Sequence, residues 1–270
     1  MRVRFAADTD CGLKKAVNQD SLSVQVVMTP IGRAAFVVLC DGMGGLQSGE
    51  IASASVVMAY VNWLKTEFVH LCTEPFDDVE LKRQWKTVLD TCSQRIHAFG
   101  DEQHIRLGST AVVCLFLENK TYVMNVGDSR LYLLTNTATI LTRDHSIVWQ
   151  EVERGNLTPE QAKHHPKRNI LTQSVGGAYI PEPDFYVYDS NYSGTYLFCS
   201  DGFHHELTDS ELIYELSRFQ IRDEVTMRSK ARQLIDLVMS RGEKDNISVV
   251  LLCMDDDRIA EGAVDYNDTF

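Results

Sequence analysis

The strongest constraint on this chain is a set of apolar runs that each stop on an aspartate. Phe36-Val37-Val38-Leu39-Cys40 ends on Asp41, and Gly42-Met43-Gly44-Gly45 follows. Val123-Met124-Asn125-Val126-Gly127 ends on Asp128, and Tyr196-Leu197-Phe198-Cys199-Ser200 ends on Asp201. Asp245-Asn246 stands at the opposite end of a fourth run, Ile247-Ser248-Val249-Val250-Leu251-Leu252. Short, β-branched apolar runs read as buried strands. A carboxylate at the end of such a strand emerges from the core into a site, and glycines let backbone groups approach a ligand closely. One Asp-Gly after a strand is an ordinary turn. Four acids at strand ends, without a matching lysine or arginine beside each, point to oxygen ligands for a divalent cation. Mg²⁺ or Mn²⁺ suits such oxygens, whereas zinc would draw His or Cys to these places.

A chain of 270 residues is one large domain or two small ones. Its net charge of −12 argues against nucleic acid as a main partner and against a basic surface for anionic membranes. The seven cysteines are odd in number, form no C-x-x-C pair, and four lie inside apolar runs. That usage reads as a reduced, cytoplasmic chain. The first residues, Met1 to Asp8, lack a secretory apolar region, and no apolar run approaches membrane-span length.

In chain order, strands are expected at Val3–Ala7, Leu22–Met28 and the run ending on Asp41. After Gly49 the period becomes helical, with Val57, Tyr60, Val61, Leu64, Phe68 and Leu71 on one face. A second helix, Asp78 to Phe99, carries Trp85, Leu89, Cys92 and Ile96, and the short linker makes the two antiparallel neighbours. Strands return at Thr110–Leu117, Thr121–Val126, Arg130–Leu134 and Thr139–Leu141. Residues 145–177 form a polar, His-rich excursion with a short helix from Pro159 to His164, either a flap beside the site or a long loop. Strands at Asp184–Tyr188 and Thr195–Cys199 lead to Asp201. Two helices follow, the first capped at Thr208 or Asp209, the second turning Val225, Ala231, Leu234, Ile235 and Val238 inward. After a last strand, Ile247–Met254, residues 255–270 form an acidic tail. No composition break divides the chain, so residues 1–254 are expected to form a single domain. Hairpin-length connections between strands predict mainly antiparallel sheets packed together, with helices outside.

Several segments occur in a telling order: Asn18-Gln19-Asp20-Ser21, Asp41-Gly42-Met43-Gly44-Gly45, Gly108-Ser109-Thr110-Ala111, Val126-Gly127-Asp128-Ser129-Arg130, Leu141-Thr142-Arg143-Asp144-His145-Ser146, Ser200-Asp201-Gly202 and Lys244-Asp245-Asn246-Ile247-Ser248. Together they resemble the metal-dependent serine/threonine protein phosphatases of the protein phosphatase 2C type (the PPM family), in their compact bacterial form. The resemblance runs from about residue 3 to 254. It implies an α+β fold, a four-layer α-β-β-α sandwich of two mainly antiparallel sheets with helix pairs outside. It also implies two tightly bound Mn²⁺ or Mg²⁺ ions and a weaker third. By the resemblance Asp41 bridges two metals, the Gly42 carbonyl binds one, and Asp201 and Asp245 bind the other. Asp20 acts directly or through water, and Asp128 holds the third ion. The implied reaction is direct attack of a metal-bridging hydroxide on a phosphoserine or phosphothreonine, opposing a cognate Ser/Thr kinase, in a monomer.

Two departures from the family stand out. Met43 replaces the histidine that some members carry as a proton donor, and Leu46 and Gln47 supply none nearby. Lys15 stands where the family usually has a phosphate-binding arginine. His145 is expected to hold its loop, and His204 and His205 to be loop residues. Arg130 is expected either to pair with an acid near the site or to be structural, and His164, His165, Lys167 and Arg168 either to steer substrate or to be solvated. Two other readings stay open on sequence alone. One is a catalytically weak phosphoprotein-binding regulatory module on the same fold, which missing acids would favour. The other is a hydrolase of small phosphate esters.

Overall fold

In the computed structural model, residues 1–44, 48–73 and 75–256 are described. The chain opens with β1 (Arg2–Asp10), β2 (Asp20–Thr29) and β3 (Gly32–Gly44), then α1 (Gly49–Thr66), α2 (Phe68–Leu71) and α3 (Asp78–Gln103). It continues through β4 (Leu107–Ser109), β5 (Ala111–Phe116), β6 (Lys120–Val126), β7 (Arg130–Leu134) and β8 (Ala138–Ile140). Two short helices, α4 (Ile147–Glu153) and α5 (Pro159–Lys163), precede β9 (Asp184–Asp189) and β10 (Thr195–Cys199). The last elements are α6 (Asp201–His204), α7 (Asp209–Leu216), α8 (Glu224–Ser240) and β11 (Ile247–Asp255).

The strands form two antiparallel sheets, ordered β1-β11-β10-β7-β8 and β2-β3-β5-β6-β9, with β4 added to the end of β3. The continuous apolar runs have a direct cause: both faces of each sheet are covered, so both alternating sets of side chains are apolar. In β3, Ala35, Val37 and Leu39 face the other sheet, where they meet Phe198, Val250 and Leu252 in a shared core. Phe36, Val38 and Cys40 face the opposite way, into the core beneath α1 and α3. β11 divides likewise: Val250, Leu252 and Met254 point between the sheets, and Val249, Leu251 and Cys253 point to α7 and α8. The result is the expected α-β-β-α sandwich.

The elements differ from expectation in a few places. The first helix breaks at Glu67, so Phe68 and Leu71 belong to α2. Helix α4 was not expected; the Ser146 hydroxyl starts it by accepting from the Trp149 amide. Val225 is 78% exposed rather than inward, because it lies in the first turn of α8, and Met227 fills the core position. His204 ends α6 and is buried, so it is not a loop residue. Asp255 belongs to β11, where Arg4 and Arg218 pair with it; the rest of the expected tail from residue 257 lies outside the described residues, as do Gly45, Leu46 and Gln47.

Trp85 is the centre of the helix-side core. Its ring packs edge-on against Trp63 at 5.7 Å, Phe185 at 5.9 Å and Phe36 at 6.0 Å. Tyr60, from α1, donates to the Trp85 carbonyl at 2.9 Å, locking α1 to α3. Trp85→Ala is expected to destabilise the fold by about 3–5 kcal/mol, the usual cost of emptying a large buried site. Urea unfolding checks this, and a loss below about 1 kcal/mol would show that the site collapses freely.

Candidate metal centre

The acids reach the same edge of the sandwich because strand register carries them there. Asp20 opens β2 and is paired in register with Asp41 near the end of β3. The Asp41 backbone is clamped on both sides: its amide donates to Thr110 Oγ1 at 2.8 Å, and its carbonyl accepts from the Thr110 amide at 2.8 Å. Gly42 then turns close to its neighbours. A Cβ there would lie 2.2 Å from the Gly49 carbonyl oxygen and 2.4 Å from that of Gln19, so no side chain fits. Gly202 has the same role beside Asp201, where a Cβ would lie 2.2 Å from the Asn246 carbonyl oxygen.

Asn246 ties the site together. Its Oδ1 accepts from the Gln19 amide at 2.9 Å. Its Nδ2 donates to the carbonyls of Cys11 at 3.0 Å and Val17 at 3.2 Å. One side chain thus holds the loop before β2 against the Asp245 turn. Glu243 holds the same turn from behind, its Oε1 accepting from the amides of Lys244 and Asp245 at 2.6 and 3.0 Å. Neither residue stood out in the sequence as more than a neighbour of Asp245.

Burial and like-charged neighbours set the electrostatics of the cluster. Burial pushes Asp20 up to about 7, and the charges of Asp201 and Asp245 add to the shift. Both Asp20 carboxylate oxygens are buried without a hydrogen-bond partner. Burial, then repulsion by Asp20, Asp201 and Asp128, raises Asp41 well above the carboxylate range. Asp201 is raised to about 6 by burial and by Asp245, and its Oδ1 also lacks a partner. Asp128 is raised by burial and by Asp201. Orphaned buried carboxylate oxygens are costly unless protons or cations satisfy them. This donor set, all oxygen, fits Mg²⁺ or Mn²⁺. Among the described residues no three His, Cys, Asp or Glu side chains close on a single point.

Lys15 is at this site. Its ammonium lies 2.8 Å from Asp245 Oδ1. Burial works against its charge, but Asp245, Asp41 and Asp201 outweigh burial and raise its pKa. Arg130 turns instead to Asp144, with a two-pronged contact at 3.0 and 2.7 Å. His145 holds its loop as expected. Its Nδ1 accepts from the Gly127 amide at 3.3 Å, which leaves Nε2 to donate to Asp184 at 3.2 Å. His205 is nearly buried, 3.9 Å from Asp201, and burial lowers it to about 4, so it is neutral. His164 pairs with Glu160 at the surface, whereas the Arg168 charge slightly favours the ionised form of Asp201.

Known proteins resemble this chain in sequence and in fold. The sequence profile described as Protein phosphatase 2C matches residues 29–154. Protein phosphatase PhpP of Streptococcus pneumoniae is 34% identical over 254 residues, covering 92% of this chain and 96% of that protein. The serine/threonine phosphatase of S. agalactiae superposes with a TM-score of 0.78 at 29% identity, covering 94% of this chain and 100% of the other. The catalytic domain of the serine/threonine phosphatase PstP, solved in complex with two manganese ions, gives a TM-score of 0.74 at 29% identity, covering 94% and 99%. With a near full-length relative at 34% identity and a shared sandwich fold, this chain belongs to the protein phosphatase 2C family.

Proposed function

We propose that this chain is a metal-dependent phosphoprotein phosphatase that hydrolyses phosphoserine and phosphothreonine and opposes a Ser/Thr kinase. The observation that carries the reading is the gathering of Asp20, Asp41, Asp128 and Asp201 at one edge of the sandwich, with orphaned buried oxygens on Asp20 and Asp201. A phosphate monoester dianion repels nucleophiles, so its cleavage needs positive charge and an activated water. Two bound divalent cations, Mn²⁺ or Mg²⁺, supply both. Asp41 would be shared between them, with the Gly42 carbonyl on one and Asp201 and Asp245 on the other. Asp20 would act directly or through water, and Asp128 would hold a weaker third ion.

The rest falls to the chain's own groups. Asn246, Glu243 and Thr110 fix the carboxylates, so little reorganisation accompanies the reaction. Lys15, already drawn to the carboxylate edge, would orient a phosphate oxygen with a compact point charge. The flap, residues 145–177, would cover one side of the cleft. Two observations support this: Arg168 acts on Asp201, and Lys163 donates to the Leu207 carbonyl at 2.6 Å. Residues 1–254 would act as one domain, supported by the core shared between the sheets. All seven cysteines are unpaired, which fits the reducing cytoplasm. Among the described residues no helix is long and apolar enough to cross a membrane.

Hydrolysis of a phosphothreonine peptide with Mn²⁺, abolished by chelation and restored by Mn²⁺, is the expected behaviour. Asp201→Asn should lower kcat by about a hundredfold or more at saturating Mn²⁺, through lost charge stabilisation; near-normal turnover would remove Asp201 from the metal shell. For Lys15→Ala, steady-state kinetics should show KM raised about three- to tenfold with kcat changed less than about twofold. An unchanged KM would leave Lys15 no part in holding phosphate.

A further inference from the structure

A groove begins where the metal-binding strand ends. Met43 and Gly44 follow Asp41-Gly42 directly and pair in register with Gly108 and Leu107 of β4. This strand pair borders a cavity of about 460 Å³, with the end of α3 on one side and residues 174, 176, 177 and 178 on the other. Met43, Ile105, Leu107 and Ala178 give it apolar lining. A second cavity of about 520 Å³ shares Ser174, Gly177 and Ala178 and runs on to Tyr179 and Ile180. Tyr179 is 87% exposed and Ile180 51%, two large apolar side chains left to water beside the same track. Contiguous exposed apolar surface next to a catalytic site marks a place for a ligand.

Charge selects the occupant. Arg106 stands at the groove, exposed, and its guanidinium makes no hydrogen bond or ion pair among the described residues. Each of the two acids along the track has a basic neighbour: Asp101 lies 3.5 Å from His97 Nε2, and Glu182, on the second cavity, lies 3.7 Å from Lys86 Nζ. In a chain of net charge −12, this is an unneutralised cation beside an apolar track that leads from the metal acids. Met43 is two residues from Asp41, which is about 7 Å along a strand. An extended polypeptide with its phosphate at the acids would therefore bring a side chain two or three residues away over the groove.

We propose that this groove is a subsite for the substrate polypeptide. It takes an apolar side chain two or three residues from the phosphorylated residue, with an acidic residue beside it meeting Arg106. The subsite rests on the phosphatase reading and adds to it a preference among phosphoproteins.

The test uses the Mn²⁺-loaded enzyme and matched phosphothreonine peptides. One series places Leu or Ser two or three residues to either side; a second places Glu or Lys next to that position. The readout is the ratio of kcat/KM within each enzyme variant, so a partly unfolded variant does not distort it. The wild type should favour Leu over Ser by about tenfold at one position, the size of effect a hydrophobic pocket gives. That ratio should fall to about one in Ala178→Trp, which fills the groove. Arg106→Glu should reverse the preference for Glu over Lys. Ratios near one in the wild type at every position, or ratios that persist in both variants, would overturn the subsite. Hydrolysis of no peptide at all by the wild type would instead overturn the phosphatase reading, and the subsite with it.

Discussion

The mutual repulsion of buried carboxylates is the interaction on which the rest of this structure turns. Asp20, Asp41, Asp128 and Asp201 are each raised above the ordinary carboxylate range, first by burial and then by neighbouring acids, Asp245 among them. No chain would keep such a cluster for stability alone, since burying like charges opposes folding. The rigid parts around it read as the means of holding it. Two sheets packed face to face supply a core that both share, and the cost of the acids is confined to one edge of it. Glycines at 42 and 202 bring backbone within contact distance where side chains would force the loops apart.

Much of this was legible in the chain. Strands such as β3 and β11 are covered on both faces, so they are apolar without alternation, and the point where each stops is conspicuous. The acids sit at those stops, which is why they could be picked out residue by residue. The helix stripes of α1 and α3 were equally plain, because each packs one face on a sheet.

What could not be read depends on distant partners. Asn246 matters through bonds to residues 11, 17 and 19, more than two hundred positions away, and nothing in its neighbours announces them. Helix α4 has one buried apolar residue, Val148, so its period is faint and its start depends on the Ser146 cap. Val225 looked inward because it is apolar, but the cap at Asp223 sets the phase of α8 and turns it to water. The Lys15–Asp245 contact likewise arises only when the loop before β2 folds over the Asp245 turn.

The central claim, that these acids oppose folding until cations join them, is tested most directly by stability rather than by rate. Thermal unfolding would be followed for the wild type and Asp41→Asn, each without divalent ions and with saturating Mn²⁺. A ligand at about a hundred times its Kd adds about 2.7 kcal/mol, and about 2–4 °C accompanies each kcal/mol in a domain of this size. The wild type should therefore gain about 5–10 °C with Mn²⁺. Asp41→Asn, with one carboxylate removed, should unfold at a higher temperature than the wild type without metal and gain less when Mn²⁺ is added. If the variant is instead less stable without metal, or gains as much from Mn²⁺, the carboxylate cluster is not the metal centre described here.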